Sequence, residues 1–263
     1  MRQKFNYHSH TSRCGHAAGE DEDYVLAAIE NGYTRMGFSD HAPYINGHDP
    51  HERMKVEELD EYIASITYLQ NKYKERIEIF KGLEIEWMPE RVDELKKFRE
   101  QFDYLILGEH THTLATENYF YDHVSDEDIL LYAEMIEQAC DAKVMDMIAH
   151  PDLFMYGKTE FTKACEEAAH RIVQAAIRNG IVLEVNLNGL KYGKRQMGSE
   201  CRYLYPYRGF WEIVSQYDVE VVYGLDAHAP SKYGDDAAYE NVNKEVIYDL
   251  PLKFKKDLSF KHK

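Results

Sequence analysis

Histidines, carboxylates and one asparagine recur in this sequence in pairs, each just downstream of a short β-branched, aromatic or aliphatic run: His8 and His10, Asp40 and His41, Glu84 and Glu86, His110 and His112, His150 and Asp152, Glu184 and Asn186, Asp226 and His228. His8-Ser9-His10 sets two imidazoles on one side of an extended segment, because side chains along a strand alternate with period two. The same period pairs Glu84 with Glu86 and Asp226 with His228 where the chain stays extended. Alone, an HxH pair is as compatible with ordinary surface or core histidines as with a metal site; seven such places in one chain point to ligands. Imidazole and carboxylate without thiolate suit Zn, Mn, Fe, Co or Ni, and the donors exceed the roughly four to six that one ion takes. More than one divalent ion is therefore implied, and a two-metal clamp is a known solution for hydrolysing phosphoryl and amide bonds.

The runs that must carry these residues are Phe5–Tyr7, Arg35–Phe38, Ile77–Ile85, Tyr104–Leu107, Val144–Ile148, Ile181–Val185 and Val219–Tyr223, read as seven strands. Between them lie segments of helical period near Glu22–Asn31, Val56–Lys74, Arg91–Glu100, Asp126–Cys140, Thr162–Asn179, Gly209–Tyr217 and Ala237–Asp249. Asn31-Gly32 and Asn179-Gly180 read as helix C-terminal caps, and Ser125 ahead of Asp126, Glu127 and Asp128 as an N-terminus. Strict alternation of strand and helix implies parallel strands. No linker or repeat interrupts it, so the expectation is an α/β fold in one domain over residues 1–263, closed as a β/α barrel, with an open doubly wound sheet as the alternative. A barrel of this type builds its site from the loops at the C-terminal ends of its strands, where the paired residues fall.

Charge sharpens the chemistry. The 263 residues carry 47 acids against 31 bases, a formal net charge of -16. Such a surface disfavours non-specific nucleic-acid binding, which needs basic residues to displace counterions. An anionic substrate would be repelled unless positive charge is concentrated at the site itself, and bound cations are the obvious source. The four cysteines, Cys14, Cys140, Cys165 and Cys201, have no CxxC spacing and read as ordinary reduced thiols. No apolar window is long enough to span a bilayer, and the N-terminus has no secretory pattern, so a soluble, cytoplasmic protein without a membrane partner is expected.

The motifs HSH at 8–10, CGHA at 14–17, SDHAP at 39–43, GLEIEW at 82–87, GEH at 108–110, AHPD at 149–152 and GLDAH at 224–228 together resemble the polymerase-and-histidinol-phosphatase (PHP) superfamily. The segments SRCGHA, DYLILGEH and YPYRGFWEI are similar to its histidinol-phosphatase branch. The resemblance implies a distorted (β/α)7 barrel, a single PHP-type metal-dependent phosphoesterase domain, and a trinuclear centre of Zn, Mn or Fe. By the same resemblance the first ion is held by His8, His10, Glu84 and Asp226. Glu84 bridges to a second ion bound by His110 and His150, and a third ion takes His16, His41 and His228. Seven imidazoles and two carboxylates around three divalent ions leave a formal charge of about +4, which would admit a phosphate dianion to an acidic protein. His110 is preferred over His112 by its register with DYLILG, leaving His112 for substrate.

The implied reaction is hydrolysis of a small phosphate monoester, L-histidinol phosphate in histidine biosynthesis, by hydroxide on the Glu84-linked metal pair, with Asp226 relaying the proton. Another small phosphate or nucleotide is the alternative, and nuclease activity is disfavoured by the charge. For the phosphate, the basic residues after the fifth and sixth strands are Lys158, Lys194, Arg195, Arg202 and Arg208, with Arg195, Arg208 and Lys158 the expected contacts. Glu86, Glu109, Asp152 and Glu184 are candidates to face a substrate amine. The segment Tyr203-Leu204-Tyr205-Pro206-Tyr207 could cover the site. His48, His51, His123, His170 and His262 do not follow strands and are read as non-ligands.

Overall fold

Period-two alternation along the central strands gives each one an inner and an outer column of side chains, and both columns are buried. The computed structural model describes residues 3–44, 52–114, 118–122, 124–256, 258 and 260–262. The strands are β1 (Phe5–Asn6), β2 (Arg35–His41), β3 (Glu78–Ile85), β4 (Tyr104–Leu107), β5 (Met147–Ile148), β6 (Val182–Asn186), β7 (Arg195–Met197), β8 (Glu200–Arg202), β9 (Glu220–Gly224) and β10 (Lys253–Phe254). The helices are α1 (Asp21–Glu30), α2 (Leu59–Tyr73), α3 (Val92–Gln101), α4 (Asp126–Ala142), α5 (Lys163–Asn179), α6 (Arg208–Val214) and α7 (Asp236–Glu245).

Eight strands form one parallel sheet in the order β1-β2-β3-β4-β5-β6-β9-β10. It curls until the segments beyond β1 and β9 meet. Ser9 and Ala227 form a parallel bridge, His10 N donating to Ala227 O at 2.9 Å and Ala227 N to His8 O at 3.1 Å. Lower down, carboxamides stand in for backbone. Gln3 donates to the Tyr223 carbonyl and accepts from its N–H at 2.8 and 3.0 Å, and Asn6 Oδ1 accepts from Leu225 N at 2.9 Å. The seven expected strands, each followed by a helix, are thus joined by an eighth, β10, beside β9, and by the antiparallel hairpin β7–β8 between β6 and α6. Neither addition shows in the alternation: β10 is two residues long, and the hairpin is largely exposed. The second strand runs on to His41, and the fifth is only Met147–Ile148. The punctuation holds: Gly32 and Gly180 have φ of 74° and 67°, and Ser125 and Asp128 form a reciprocal capping box.

The outer column (Leu83, Ile85, Leu105, Leu107, Leu183, Val185) packs with the helices in the main core. The inner column changes character with height. At the bottom Phe5, Tyr7, Phe80, Tyr104, Ile106, Met147, Val182 and Val222 fill the barrel. Two to four residues further along the chain stand Glu184, Glu84 and Asp226, all buried. The apolar layer is the floor on which the polar residues rest.

The tail seals that floor. Phe260 stacks on Tyr104, ring centres 4.7 Å apart, and meets Tyr7 edge-on at 4.9 Å, while Tyr7 hydroxyl donates to the Leu258 carbonyl. Phe260→Ala removes a half-buried ring from three aromatic neighbours and is expected to lower unfolding free energy by about 2–3 kcal/mol. Denaturant melts would check this, and an unchanged midpoint would show the tail to be dispensable to the barrel. No helix among the described residues is long and apolar enough to cross a membrane.

Candidate metal centre

Glu84, near the end of β3, stands among five imidazoles. Its Oε2 lies 3.4 Å from His8 Nε2, 3.4 Å from His10 Nε2 and 3.1 Å from His41 Nδ1, and its Oε1 lies 3.0 Å from His150 Nε2 and 3.7 Å from His110 Nε2. Asp226, just beyond β9, brings Oδ1 to 3.2 Å from His10 Nε2, 3.6 Å from His8 Nε2 and 3.2 Å from His228 Nδ1. His16 completes the group, its Nε2 2.9 Å from His228 Nε2. All nine residues expected as ligands are thus gathered at the C-terminal ends of the strands.

Four of the facing atoms, His8 Nε2, His10 Nε2, Glu84 Oε2 and Asp226 Oδ1, are buried and have no hydrogen-bond partner. Leaving such groups unpaired costs about 1–3 kcal/mol each, more when charged. One cation between two nitrogens and two oxygens would satisfy all four, so the donor set fits a metal ion. His150 and Asp226 also hold positive φ, 27° and 46°. For residues other than glycine that conformation costs on the order of 1–3 kcal/mol and concentrates at functional sites.

A second layer fixes the gathered side chains. Glu184 Oε1 takes His8 Nδ1 at 2.8 Å and its Oε2 accepts His150 N at 3.0 Å; Asp40 Oδ1 lies 3.4 Å from His10 Nδ1; Glu86 takes His110 Nδ1 at 3.1 Å and His110 N at 2.9 Å. Carboxylates behind ligating imidazoles set tautomer and ring orientation. Asn186 and Asn188 donate to Asp226 Oδ2 at 3.3 and 3.1 Å, turning Oδ1 inward. Two glycines clear the space: a Cβ on Gly108 would strike the Glu84 carboxylate, and one on Gly224 the Glu184 carboxylate.

Burial opposes charge throughout, yet opposite charges prevail. His8 is raised well above its ordinary value against burial by Glu184, Asp226 and Glu84. Glu84 and Asp226 are driven well below the usual carboxylate range despite burial, the first by His8, His41 and His110, the second by His8, His228 and His10. His41 goes the other way: burial, with His10, His110 and His16, outweighs Glu84 and holds it neutral, as a ligand must be.

The cluster opens into a cavity of 220 Å³ whose outer wall is formed by Tyr119, Tyr121, Tyr156, Tyr192 and Tyr205, with Arg53 and Lys191 as its cations. The basic residues expected there lie elsewhere. Lys158 pairs with Asp126 at 2.7 Å; Arg208 pairs with Glu212 and Asp249 at 2.8 and 3.1 Å; Arg195 is exposed on β7, its guanidinium 5.9 Å from the centre of the Tyr192 ring, and Lys194 pairs with Glu245. Arg202 binds loop carbonyls, including Lys158 O at 2.6 Å. His112 stacks on Phe120 at 4.0 Å with Nδ1 3.7 Å from Asp128, outside the cavity wall. Of the acids expected to face an amine, Glu86 lines the cavity while bracing His110, and the others are buried supports: besides Glu184, Glu109 accepts Trp87 N at 2.8 Å, and Asp152 accepts Tyr207 N and Trp211 Nε1 at 2.6 and 3.1 Å. Of the tyrosine segment, Tyr205 reaches the wall, 6.3 Å ring to ring from His150. His170 meets Tyr217 hydroxyl at 2.7 Å, and His262 stacks on Phe80. His48, His51 and His123 lie outside the described residues.

The chain is similar to several known proteins. The chain is similar to the histidinol-phosphatase of Bacillus subtilis, 24% identical over 90% of this chain and 97% of that one. It is also similar to a Deinococcus radiodurans protein named "Probable histidinol-phosphatase", 27% identical over 86% of this chain and 87% of that one. Among solved structures it shares its fold with histidinol phosphate phosphatase from Lactococcus lactis, crystallised with zinc, L-histidinol and phosphate. The TM-score is 0.72 at 18% identity, covering 96% of this chain and 95% of that one. The PHP domain family matches residues 6–188, which hold seven of the nine gathered residues, and the fold brings Asp226 and His228 to them from beyond that segment. The chain belongs to the PHP domain family.

Proposed function

We propose that this chain hydrolyses a small phosphate monoester, L-histidinol phosphate before others, to the free alcohol and phosphate, as a cytoplasmic enzyme of histidine biosynthesis. The names of its curated relatives support that choice. The observation that carries the reaction class is the set of four inward, unpartnered donors, His8 Nε2, His10 Nε2, Glu84 Oε2 and Asp226 Oδ1. In this reading the centre holds three divalent ions, Zn, Mn or Fe. His8, His10, Glu84 and Asp226 take the first; Glu84, His110 and His150 the second; His16, His41 and His228 the third. Bound there, the ions would supply positive charge for the phosphate oxygens and a water acidified enough to attack near neutral pH.

The chain's own groups do the rest. Glu84, with one oxygen facing His8, His10 and His41 and the other His110 and His150, would serve two of the ions. Asp226, with Oδ2 held by Asn186 and Asn188, presents Oδ1 to the first ion, where the second lone pair of that oxygen would relay the proton of the attacking water. Arg53, which reaches Glu86 Oε1 at 3.3 Å, and Lys191 are the cations that would meet phosphate from the cavity side. The tyrosine wall offers flat faces and hydroxyls to a ring-bearing alcohol and excludes bulk water. Lys191→Ala is expected to raise KM roughly tenfold, about 1.4 kcal/mol, with a smaller change in kcat; an unaltered KM would remove Lys191 from substrate binding.

Phosphate release from a panel of small phosphates, with metal content measured on the same preparation, tests the whole reading. Histidinol phosphate should be turned over far faster than sugar or nucleotide phosphates by protein carrying Zn, Mn or Fe. Equal or faster turnover of another panel member moves the assignment to a phosphoesterase with that substrate. A metal-free protein that stays inactive on resupply ends it.

A further inference from the structure

Cys14 ends a 3-10 turn, Ser12–Cys14, and is wholly buried as a free thiol. Cys140 and Cys165 are buried too, but among the side chains of the main hydrophobic core, where a thiol behaves as a small hydrophobe. Cys14 is not in that company. Its sulfur and one ring nitrogen each of His16 and His228 lie within 4.8 Å of one another, and so do its sulfur, a ring nitrogen of His10 and an oxygen of Asp40. Donors that share a tetrahedral ion at about 2.0–2.3 Å must stand closer than that by only about an ångström.

The local backbone produces the convergence. Gly15, in the left-handed region at φ 84°, reverses the chain after the turn. The Cys14 carbonyl then takes His16 Nδ1 at 3.1 Å, leaving Nε2 directed at His228. The Asp226 carbonyl takes His228 Nδ1 at 3.0 Å in the same way, so two Nε2 atoms face each other at 2.9 Å. A separate observation points to a ligand here. His10 is wholly buried, neither of its ring nitrogens has a well-aligned hydrogen bond, Nδ1 only approaching Asp40 Oδ1 at 3.4 Å, and one of them lies within 4.8 Å of the Cys14 sulfur.

We propose that Cys14 is a thiolate ligand of the outer ion, completing with His16 and His228 a mixed sulfur and nitrogen site. This rests on the metal-centre reading above and changes its character. A soft sulfur donor favours Zn, Fe(II) or Co over Mn or Mg at that position, so the outer ion differs in kind from those held by oxygen and nitrogen alone. Nothing in the sequence signals it, because the spacing of Cys14 matches no thiolate motif and its partner His228 is far along the chain.

Cobalt loading of the full chain tests the proposal. A thiolate bound to Co(II) gives a near-ultraviolet charge-transfer band that imidazole and carboxylate do not. The native protein should develop it as cobalt fills the outer site, Cys14→Ser should lose it, and Cys201→Ser should keep it. X-ray absorption at the zinc edge of the native protein supplies a second reading that does not depend on how the variant folds: one sulfur at about 2.3 Å in the shell averaged over the bound ions. Cobalt uptake with visible d–d absorption but no charge-transfer band, a band that survives Cys14→Ser, or a zinc shell free of sulfur would each overturn the thiolate while leaving the metal centre standing. Failure to take up cobalt or zinc at all would overturn both.

Discussion

Glu84→Gln is expected to lower phosphomonoester turnover by roughly a thousandfold, about 4 kcal/mol of transition-state stabilisation, and to strip the protein of most of its bound metal. The substitution keeps the shape of the side chain, so the effect is electrostatic and specific. One carboxylate touches His8, His10 and His41 through one oxygen and His110 and His150 through the other. An amide in its place carries no charge, and its NH2 end can ligate nothing. One of the two proposed ions loses its shared donor whichever way the amide turns. In the metal-free protein the loss is felt as well, because His8 and His110 help hold Glu84 ionised against burial, and removing the negative partner leaves their positive charge unbalanced. Metal analysis, kcat/KM and thermal unfolding on the same preparation separate the two consequences. A folded variant with native metal content and native turnover would sink the assignment of Glu84 as the bridging group.

The centre was legible in the sequence because a parallel barrel converts strand order into spatial convergence. His8, Glu84, His150 and Asp226 are far apart along the chain, but each follows an apolar run of a few residues, and such runs end at one face. The supports were half legible. Asp40, Glu86 and Glu184 were visible as residues, but whether a carboxylate ligates, faces substrate or braces an imidazole depends on ring orientations that no spacing encodes. Glu184 and Glu86 prove to be braces. The cavity wall was not legible. Arg53 enters from a loop and Lys191 from the 3-10 turn Asn188–Tyr192, while of the cations that sequence position favoured, Lys158, Lys194, Arg202 and Arg208 are taken up by surface carboxylates or loop carbonyls and Arg195 lies over the Tyr192 ring. Charge type alone cannot separate a cation aimed at substrate from one that ties down a loop. The glycines of the GEH and GLDAH motifs could be read as motif letters, but their purpose is spatial: each lies against a carboxylate that comes from a different strand.

That spatial role gives the second large effect. Gly108→Ala is expected to weaken metal binding by more than about a hundredfold and to cost only about 1–3 kcal/mol of stability. A methyl group there would occupy the volume of the Glu84 carboxylate, which must swing away from the imidazoles it joins. Gly224→Ala should be milder, about 10–100-fold in metal affinity, because it displaces Glu184, which acts on the ions only through His8 and the His150 backbone. Gly180→Ala provides the contrast. It sits at the end of α5 with φ of 67° and nothing within 4 Å of the added carbon, so it should cost about 1–2 kcal/mol of stability through backbone strain and leave metal binding untouched. Metal titration by calorimetry alongside denaturant melts would rank the three. If stability falls alike in all of them and affinity in none, the two motif glycines serve only the fold; if affinity falls in the order 108, 224, 180, the inner face of the barrel is built around the room these carboxylates need.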